Sequence, residues 1–335
     1  MSRAVLLLAL VAATAEAQPY VRSAIQDHPE LQLFWKSRCF VYHLGAKGSA
    51  RTPGRTEDQA IAASFASWQA ASDRCSSGWE FVRGTDVPAE QYHIGLQGHT
   101  DSTQILFRET NCRDVVPAND PCEADPETAH EACANHYQCM YSSDETIAVT
   151  QVTANTRTGE ILDVDIEFNA SPQLGGVPGY LFTTVDAPVC TAVESPACVA
   201  RDIQNTLTHE LGHALGFAHA PGPDSTMYAY AQYGETSKRT LDPGTIEGLC
   251  SVYPAVANAR ECTQSTTDAL STGTLRVTAE TAGCSSLGLG PGGLALVAWL
   301  LRRRAVQRGE RGAISGSSIS HAVRALSRRR PARGV

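Results

Sequence analysis

Hydrophobic and polar positions recur along this chain with two periods, 3.6 and 2, and their alternation predicts the element order. Between Thr56 and Ser72, Ile61, Phe65 and Trp68 fall at i, i+4 and i+7, the stripe of an amphipathic helix, and Thr56 with Gln59 predicts a capping box at its start. Before it, residues 39–44 read as a strand, and after it 79–82 and the neighbourhood of 92–96 read as two more. Residues 146–153 and 161–169 flank the turn-prone 155–159 and predict a hairpin. In its second strand Leu162, Val164, Ile166 and Phe168 alternate with Asp163, Asp165 and Glu167, which predicts one buried face and one row of carboxylates. Such a row suits calcium, which takes oxygen ligands, but a solvated polar face is the commoner reason for it. A further helix follows Asp202, a capping residue, with Ile203, Leu207, Leu211 and Leu215 in an i+4 stripe. The last periodic stretch, 241–253, has Asp242 as cap, Pro243 at the first helical position, and Ile246, Leu249 and Tyr253 on one face.

Other stretches lack a period. Residues 18–38 read as a short polar lead. Residues 111–145 are acidic, hold Cys112, Cys122, Cys133 and Cys139, and read as a long disulfide-stapled insertion. Residues 255–283, rich in Thr, Ala and Ser, read as a linker or stalk. At the start, Arg3, the apolar run 4–13 and Ala15-Glu16-Ala17 have the make-up of a cleaved secretory signal over 1–17. At the other end, Cys284 precedes an apolar stretch, 287–301, and then Arg302, Arg303 and Arg304. This pattern resembles the C-terminal sorting signals of myxobacterial surface proteins, in which the Cys marks the processing and anchoring site. Residues 305–335 run on past the point where such signals end. A plain membrane anchor is the competing reading, with the arginines on the cytoplasmic side.

Composition sharpens this organisation. The 335 residues are 42% hydrophobic and 19% charged, with a net charge of −8, which excludes a disordered chain and a polytopic membrane protein. An acidic chain is also a poor partner for nucleic acid. The charge is unevenly divided: 302–335 holds ten Arg against Glu310, a surplus of +9, and 1–17 is neutral, which leaves −17 on 18–301. Eleven cysteines in an exported chain imply a disulfide framework. Ten of them are enough for five bridges, with Cys284 left over. The close spacings 112/122, 133/139 and 190/198 would each suit a local staple, though spacing does not fix connectivity.

The chemistry lies in His209-Glu210-Leu211-Gly212-His213-Ala214-Leu215-Gly216-Phe217-Ala218-His219. One helical turn separates His209 from His213, so both imidazoles can reach one metal ion, and Glu210 stands beside them. A continuing helix would send the third histidine away from that ion. Gly216 supplies the break, because it takes a left-handed conformation at little cost and lets His219 close on the metal. Three neutral imidazoles leave a fourth zinc position open, as in catalytic rather than structural sites.

This H-E-x-x-H-x-x-G-x-x-H run resembles the hallmark of the metzincin metalloproteases, and Met227, in Asp224-Ser225-Thr226-Met227-Tyr228, resembles their Met-turn. The His-Ala-Leu-Gly run and the closing helix are most similar to the matrixin branch, over residues 39–254. Ala220 and Ala229 stand where matrixins usually have Ser and Pro. The thiol switch of matrixin zymogens is absent. Tyr228 and Tyr230 are misplaced for the zinc-ligating Tyr of astacins. His99 and Asp101 answer to only part of the matrixin structural-zinc set, so a second zinc is not expected.

The resemblance implies an α+β fold: a twisted, mostly parallel sheet with an antiparallel edge strand, an active-site helix and a C-terminal helix. It implies one catalytic zinc on His209, His213 and His219, with Glu210 as general base, in an endopeptidase. Its polypeptide substrates would pair with the edge strand at 146–153, and the loop after Met227 would wall the adjacent pocket. The expected protein is exported, monomeric and held at the cell surface only through its C-terminal signal. Two other classes remain open at this point: a surface binding module with a structural zinc, and a zinc hydrolase of non-protein substrates.

Overall fold

The computed structural model describes residues 19–94, 103–124, 129–174, 176–256 and 262, together with the backbone strands Thr274–Thr278 and Ser285–Ser286. The signal sequence at 1–17, His99, Asp101, Cys284 and the apolar and arginine-rich stretches beyond it lie outside the described residues. Among the described residues no helix is long and apolar enough to cross a membrane.

Five strands form the body of the main sheet: β1 (Cys39–Leu44), β2 (Glu80–Arg83), β3 (Gln104–Arg108), β4 (Ala148–Asn155) and β5 (Ile161–Asn169). A sixth, β6 (Thr274–Thr278), lies outside β4, giving the order β6-β4-β5-β3-β1-β2. β2, β1, β3 and β5 run parallel and β4 runs antiparallel to β5, as the resemblance implied, but with β6 paired outside it β4 is not the edge strand that was expected. Four helices of eight or more residues are described: α1 (Glu57–Cys75), α2 (Ala129–Tyr137), α3 (Ile203–Ala214) and α4 (Pro243–Val252).

The apolar stripes meet on one face of the sheet. Ile61, Phe65 and Trp68 of α1 and Ile203, Leu207 and Leu211 of α3 are buried in one core with Val164, Ile166 and Phe168 of β5. Burying each of these large side chains is worth roughly 1.5–3 kcal/mol, and together they fix α3 against the sheet. The expected capping box does not form. Thr56 is already helical (φ −68°, ψ −13°) behind the short turn Pro53–Arg55, and its hydroxyl pairs with Thr184 at 2.7 Å.

Several expectations need correction. Of the strand expected near 92–96, residues 92–94 are not in a strand and 95–96 lie outside the described residues; a short turn, Ala89–Gln91, leads to Ile94, which is buried against Cys112, Ala134 and Cys139. The central strand is β3, whose continuous apolar run Ile105-Leu106-Phe107 suits a strand buried on both faces. The lead at 18–38 is not merely polar. Ile25 and Leu33 enter the core, and Val21–Arg22 pairs antiparallel with Phe217–Ala218. The region read as a stalk contributes β6, and Cys262 within it is bonded to Cys39.

The row of carboxylates on β5 is not a solvated face. Asp163, Asp165 and Glu167 are all buried. Glu167 pairs with Arg108 at 2.5 Å and accepts from Gln151 at 2.9 Å, while Asp165 accepts from the Gln104 backbone N–H at 3.0 Å. Residues of the cysteine-rich insertion close over this network: Gln138 accepts from Arg108 at 2.8 Å, and His130 lies 3.2 Å from Gln151. Both oxygens of Glu167 and one of Asp165 are committed in this way, and calcium is unsupported. The insertion itself is stapled by nested bridges, Cys112–Cys139 around Cys122–Cys133, not by the sequential pairs that spacing suggested. Cys190–Cys198 is a local staple, and Cys75–Cys250 ties α1 to α4.

Candidate metal centre

α3 begins as its sequence requires. The Asp202 carboxylate accepts from the Asn205 N–H at 2.7 Å, and it is held in turn by Arg239. At the other end, helix carbonyls left without intrahelical partners are taken by aromatic donors from distant parts of the chain. Trp35 Nε1–H donates to Ala214 O at 2.7 Å and the Tyr253 hydroxyl donates to Leu215 O at 2.9 Å. The helix stops because Gly216 adopts φ +88°. A Cβ there would lie 2.5 Å from the Leu33 carbonyl oxygen, so the lead packs against the turn at a distance only glycine permits. The chain then runs through Phe217–Ala218, paired with Val21–Arg22, to His219.

These constraints bring the three histidines together. His213 Nε2 lies 3.1 Å from His209 Nε2 and 3.2 Å from His219 Nε2. Tetrahedral ligands at 2.0–2.1 Å from zinc stand about 3.3 Å apart, so the spacing is that of a ligand set. The opposite ring nitrogens are already engaged. His209 Nδ1–H donates to Thr226 O at 2.6 Å and His213 Nδ1–H to Phe217 O at 2.8 Å, which turns each Nε2 lone pair toward the common centre. Burial, then the neighbouring imidazoles, drives His209 well below the usual histidine range. Burial, then His219, lowers His213 to about 3, and burial, then Lys238, lowers His219 to about 4. The cluster is therefore neutral at physiological pH. Three facing lone pairs with no proton between them fit a bound cation.

Glu210 is fully buried beside these histidines, and its Oε2 accepts from the Thr150 hydroxyl of β4 at 2.6 Å. Sequence reasoning missed Thr150, because nothing in a strand pattern marks which residue will meet a helix. It also missed the support beneath His209. Asp242, the cap of α4, accepts from the Thr226 N–H at 2.8 Å while its own N–H donates to Thr226 Oγ1 at 3.0 Å. The Thr226 carbonyl that orients His209 is thus fixed by the start of the last helix. Met227 is buried next to it. A Cβ on Gly212 would come within 2.1 Å of the Met227 sulfur, so the glycine between the two helical histidines makes room for the methionine. The Ala220 N–H donates to Met227 O at 2.8 Å and closes the turn under His219. Beyond it, buried Lys238 donates to Tyr230 O at 2.8 Å and pairs with Glu235 at 2.6 Å, holding the segment that follows the methionine.

Of the residues singled out from sequence, His209, His213, His219, Glu210, Gly216 and Met227 converge here, and Cys284 lies outside the described residues. Among the described residues these three histidines form a group able to hold a metal ion.

Comparisons with known proteins agree in kind. The chain is 38% identical to neutrophil collagenase of Homo sapiens over 50 residues, covering 15% of this chain and 11% of that protein. It is 37% identical to matrilysin of Felis catus over 54 residues, covering 16% of this chain and 21% of that protein. The aligned stretches thus span less than a quarter of either relative. Residues 34–254 as a whole match the matrixin family. With most of its length inside that match, the chain belongs to the matrixin family, a family of zinc-dependent metalloproteases.

Proposed function

We propose that the protein is an exported zinc metalloendopeptidase acting on extended polypeptides. The observation that carries this reading is the convergence of three neutral Nε2 atoms beside a buried carboxylate held by Thr150. His209, His213 and His219 would hold the ion. Zinc bound there supplies Lewis acidity for the scissile carbonyl. Glu210 takes the proton of the attacking water and returns it to the departing amine nitrogen. Thr150 donates to one oxygen of that carboxylate and so orients it for the transfer. The backbone of β4 would align the peptide by strand addition, and the segment after Met227 would wall the adjacent pocket.

Five disulfides support an oxidising destination, in keeping with removal of 1–17 on export. Residues 39–254 would be the working domain, and Cys284 the point at which it is anchored. Labelling of the cell surface, compared between the native chain and Cys284→Ser, checks the anchor.

The enzymatic reading is tested by zinc analysis and a peptide-library assay on one preparation. Glu210→Ala is expected to keep about one zinc per chain and lose cleavage by a factor of about 10⁴ or more, as loss of a general base beside a metal requires. Substantial residual hydrolysis in that variant would overturn the assignment, and so would a chain without zinc.

A further inference from the structure

The strand β4, which the proposed function needs as the rail for a peptide, already carries one. β6 pairs antiparallel with it over five residues, from Thr274 opposite Asn155 to Thr278 opposite Gln151. The register has a direction: β6 advances along β4 toward Thr150, the residue that holds Glu210, and its last pair is one position short of it. The same chain pairs again at Ser285–Ser286, parallel with Tyr230–Ala231, three residues beyond Met227. Residues 279–284 join these strands and lie outside the described residues. Seven Cα steps separate Thr278 from Ser285, a reach of at most about 25 Å. One short stretch of chain therefore pairs first with the strand that holds Glu210 and then with the segment that follows Met227.

We infer that the strands Thr274–Thr278 and Ser285–Ser286 are the resident peptide of this chain's own cleft, an intramolecular occupant that any other polypeptide must displace. The inference rests on the proposed function for the word cleft, but not for the pairing itself. An unpaired β4 would be an exposed edge strand, which accepts whatever extended chain is offered. Cys262, bonded to Cys39 at the start of β1, tethers the occupant twelve positions before it begins. A tether of that length gives an effective concentration on the order of millimolar, against which a free peptide has to compete. A strand that only completed the sheet would have no reason to be followed at once by a second pairing, on the segment that follows Met227.

The test uses the full, zinc-loaded chain with Arg276→Pro and Val277→Pro together. Adjacent residues of a strand point their N–H groups to opposite sides, so one of these substitutions removes a donor to β4 whatever the register of bonds. Two measurements are made. In the first, with both chains also carrying Glu210→Gln so that neither cuts itself, hydrogen exchange is followed at the amides of 151–155 that point away from β5. Exchange at least about tenfold faster in the proline variant is expected. In the second, without the Glu210 substitution, KM for an unrelated peptide is expected to fall about tenfold while kcat holds, since displacement no longer opposes binding. A synthetic peptide of residues 272–287 added to the proline variant should then inhibit competitively, and a scrambled one should not. Unchanged exchange together with unchanged KM overturns the inference. If exchange responds but no chain cleaves any peptide, the pairing of β6 with β4 stands and the peptidase assignment falls.

Discussion

The two faces of β5 solve the same problem of burial by opposite means. Toward α1 and α3, Val164, Ile166 and Phe168 join an apolar core that carries the histidine site. On the other side Asp163, Asp165 and Glu167 are just as inaccessible, yet they face a polar network under the cysteine-rich insertion. Apolar burial tolerates small errors of position, whereas a buried ion pair needs each partner in place. The first face can therefore position a site by packing with a few directional bonds added. The second depends on a lid that covalent bridges hold down.

The sharpest way to break this contrast is to remove one charge. Arg108→Ala leaves Glu167 buried without its cation and is expected to lower stability by about 3–5 kcal/mol, read from the urea midpoint. Replacing both partners with apolar residues should cost less than the two single changes combined, and a double-mutant cycle measures the difference. The second test opens the lid. Loss of the Cys112–Cys139 bridge, whose ends are 27 residues apart, should cost about 3–4 kcal/mol by chain entropy. Zinc content per folded molecule should not change, because the bridge lies over the polar face. A variant that lost zinc in proportion to stability would show that the two faces are one cooperative unit.

The contrast also explains what the sequence could reveal. Ile61, Phe65 and Trp68, and the stripe from Ile203 to Leu211, were legible because a one-sided apolar helix has few uses besides packing. The histidine motif was legible because its spacing encodes a local geometry: two histidines one helical turn apart, then a glycine. Asp163, Asp165 and Glu167 misled, because a strand with alternate carboxylates has the same pattern whether water or a folded insertion covers them. The covering elements come from residues 108, 130 and 138, and nothing local ties those to β5. For the same reason Thr150, Leu33 and β6 could not be assigned: each matters through a partner far away in sequence.

On the apolar face, Gly216→Ala is the next largest perturbation. The positive φ and the approach of Leu33 O to 2.5 Å from a new Cβ both oppose it. The expected loss is about 2 kcal/mol, with weaker zinc binding because His219 follows the displaced turn. Calorimetry of the metal-free chain and zinc titration measure the two effects separately.

The smallest change asks whether packing alone fixes the ligands. Asp242 does two things through two oxygens. Oδ1 caps α4 by accepting from the Gly244 and Thr245 N–H groups, and Oδ2 accepts from the Thr226 N–H behind His209. Asp242→Ala removes both functions and should cost about 1 kcal/mol, the usual value of a helix cap. Asp242→Asn keeps a carbonyl oxygen for the cap but places an amide where the Thr226 N–H needs an acceptor. If the Thr226 carbonyl is held only by surrounding packing, the Asn variant should bind zinc as the native chain does. If the carboxylate fixes it, both variants should lose zinc affinity about tenfold, the usual effect of disturbing a ligand's hydrogen-bond partner, while the Asn variant keeps most of its stability. The geometry favours the second outcome, since Thr226 is bonded to Asp242 through both its N–H and its hydroxyl oxygen. Loss of affinity without loss of stability would show that even the apolar face relies on a directional bond where a metal ligand has to be aimed.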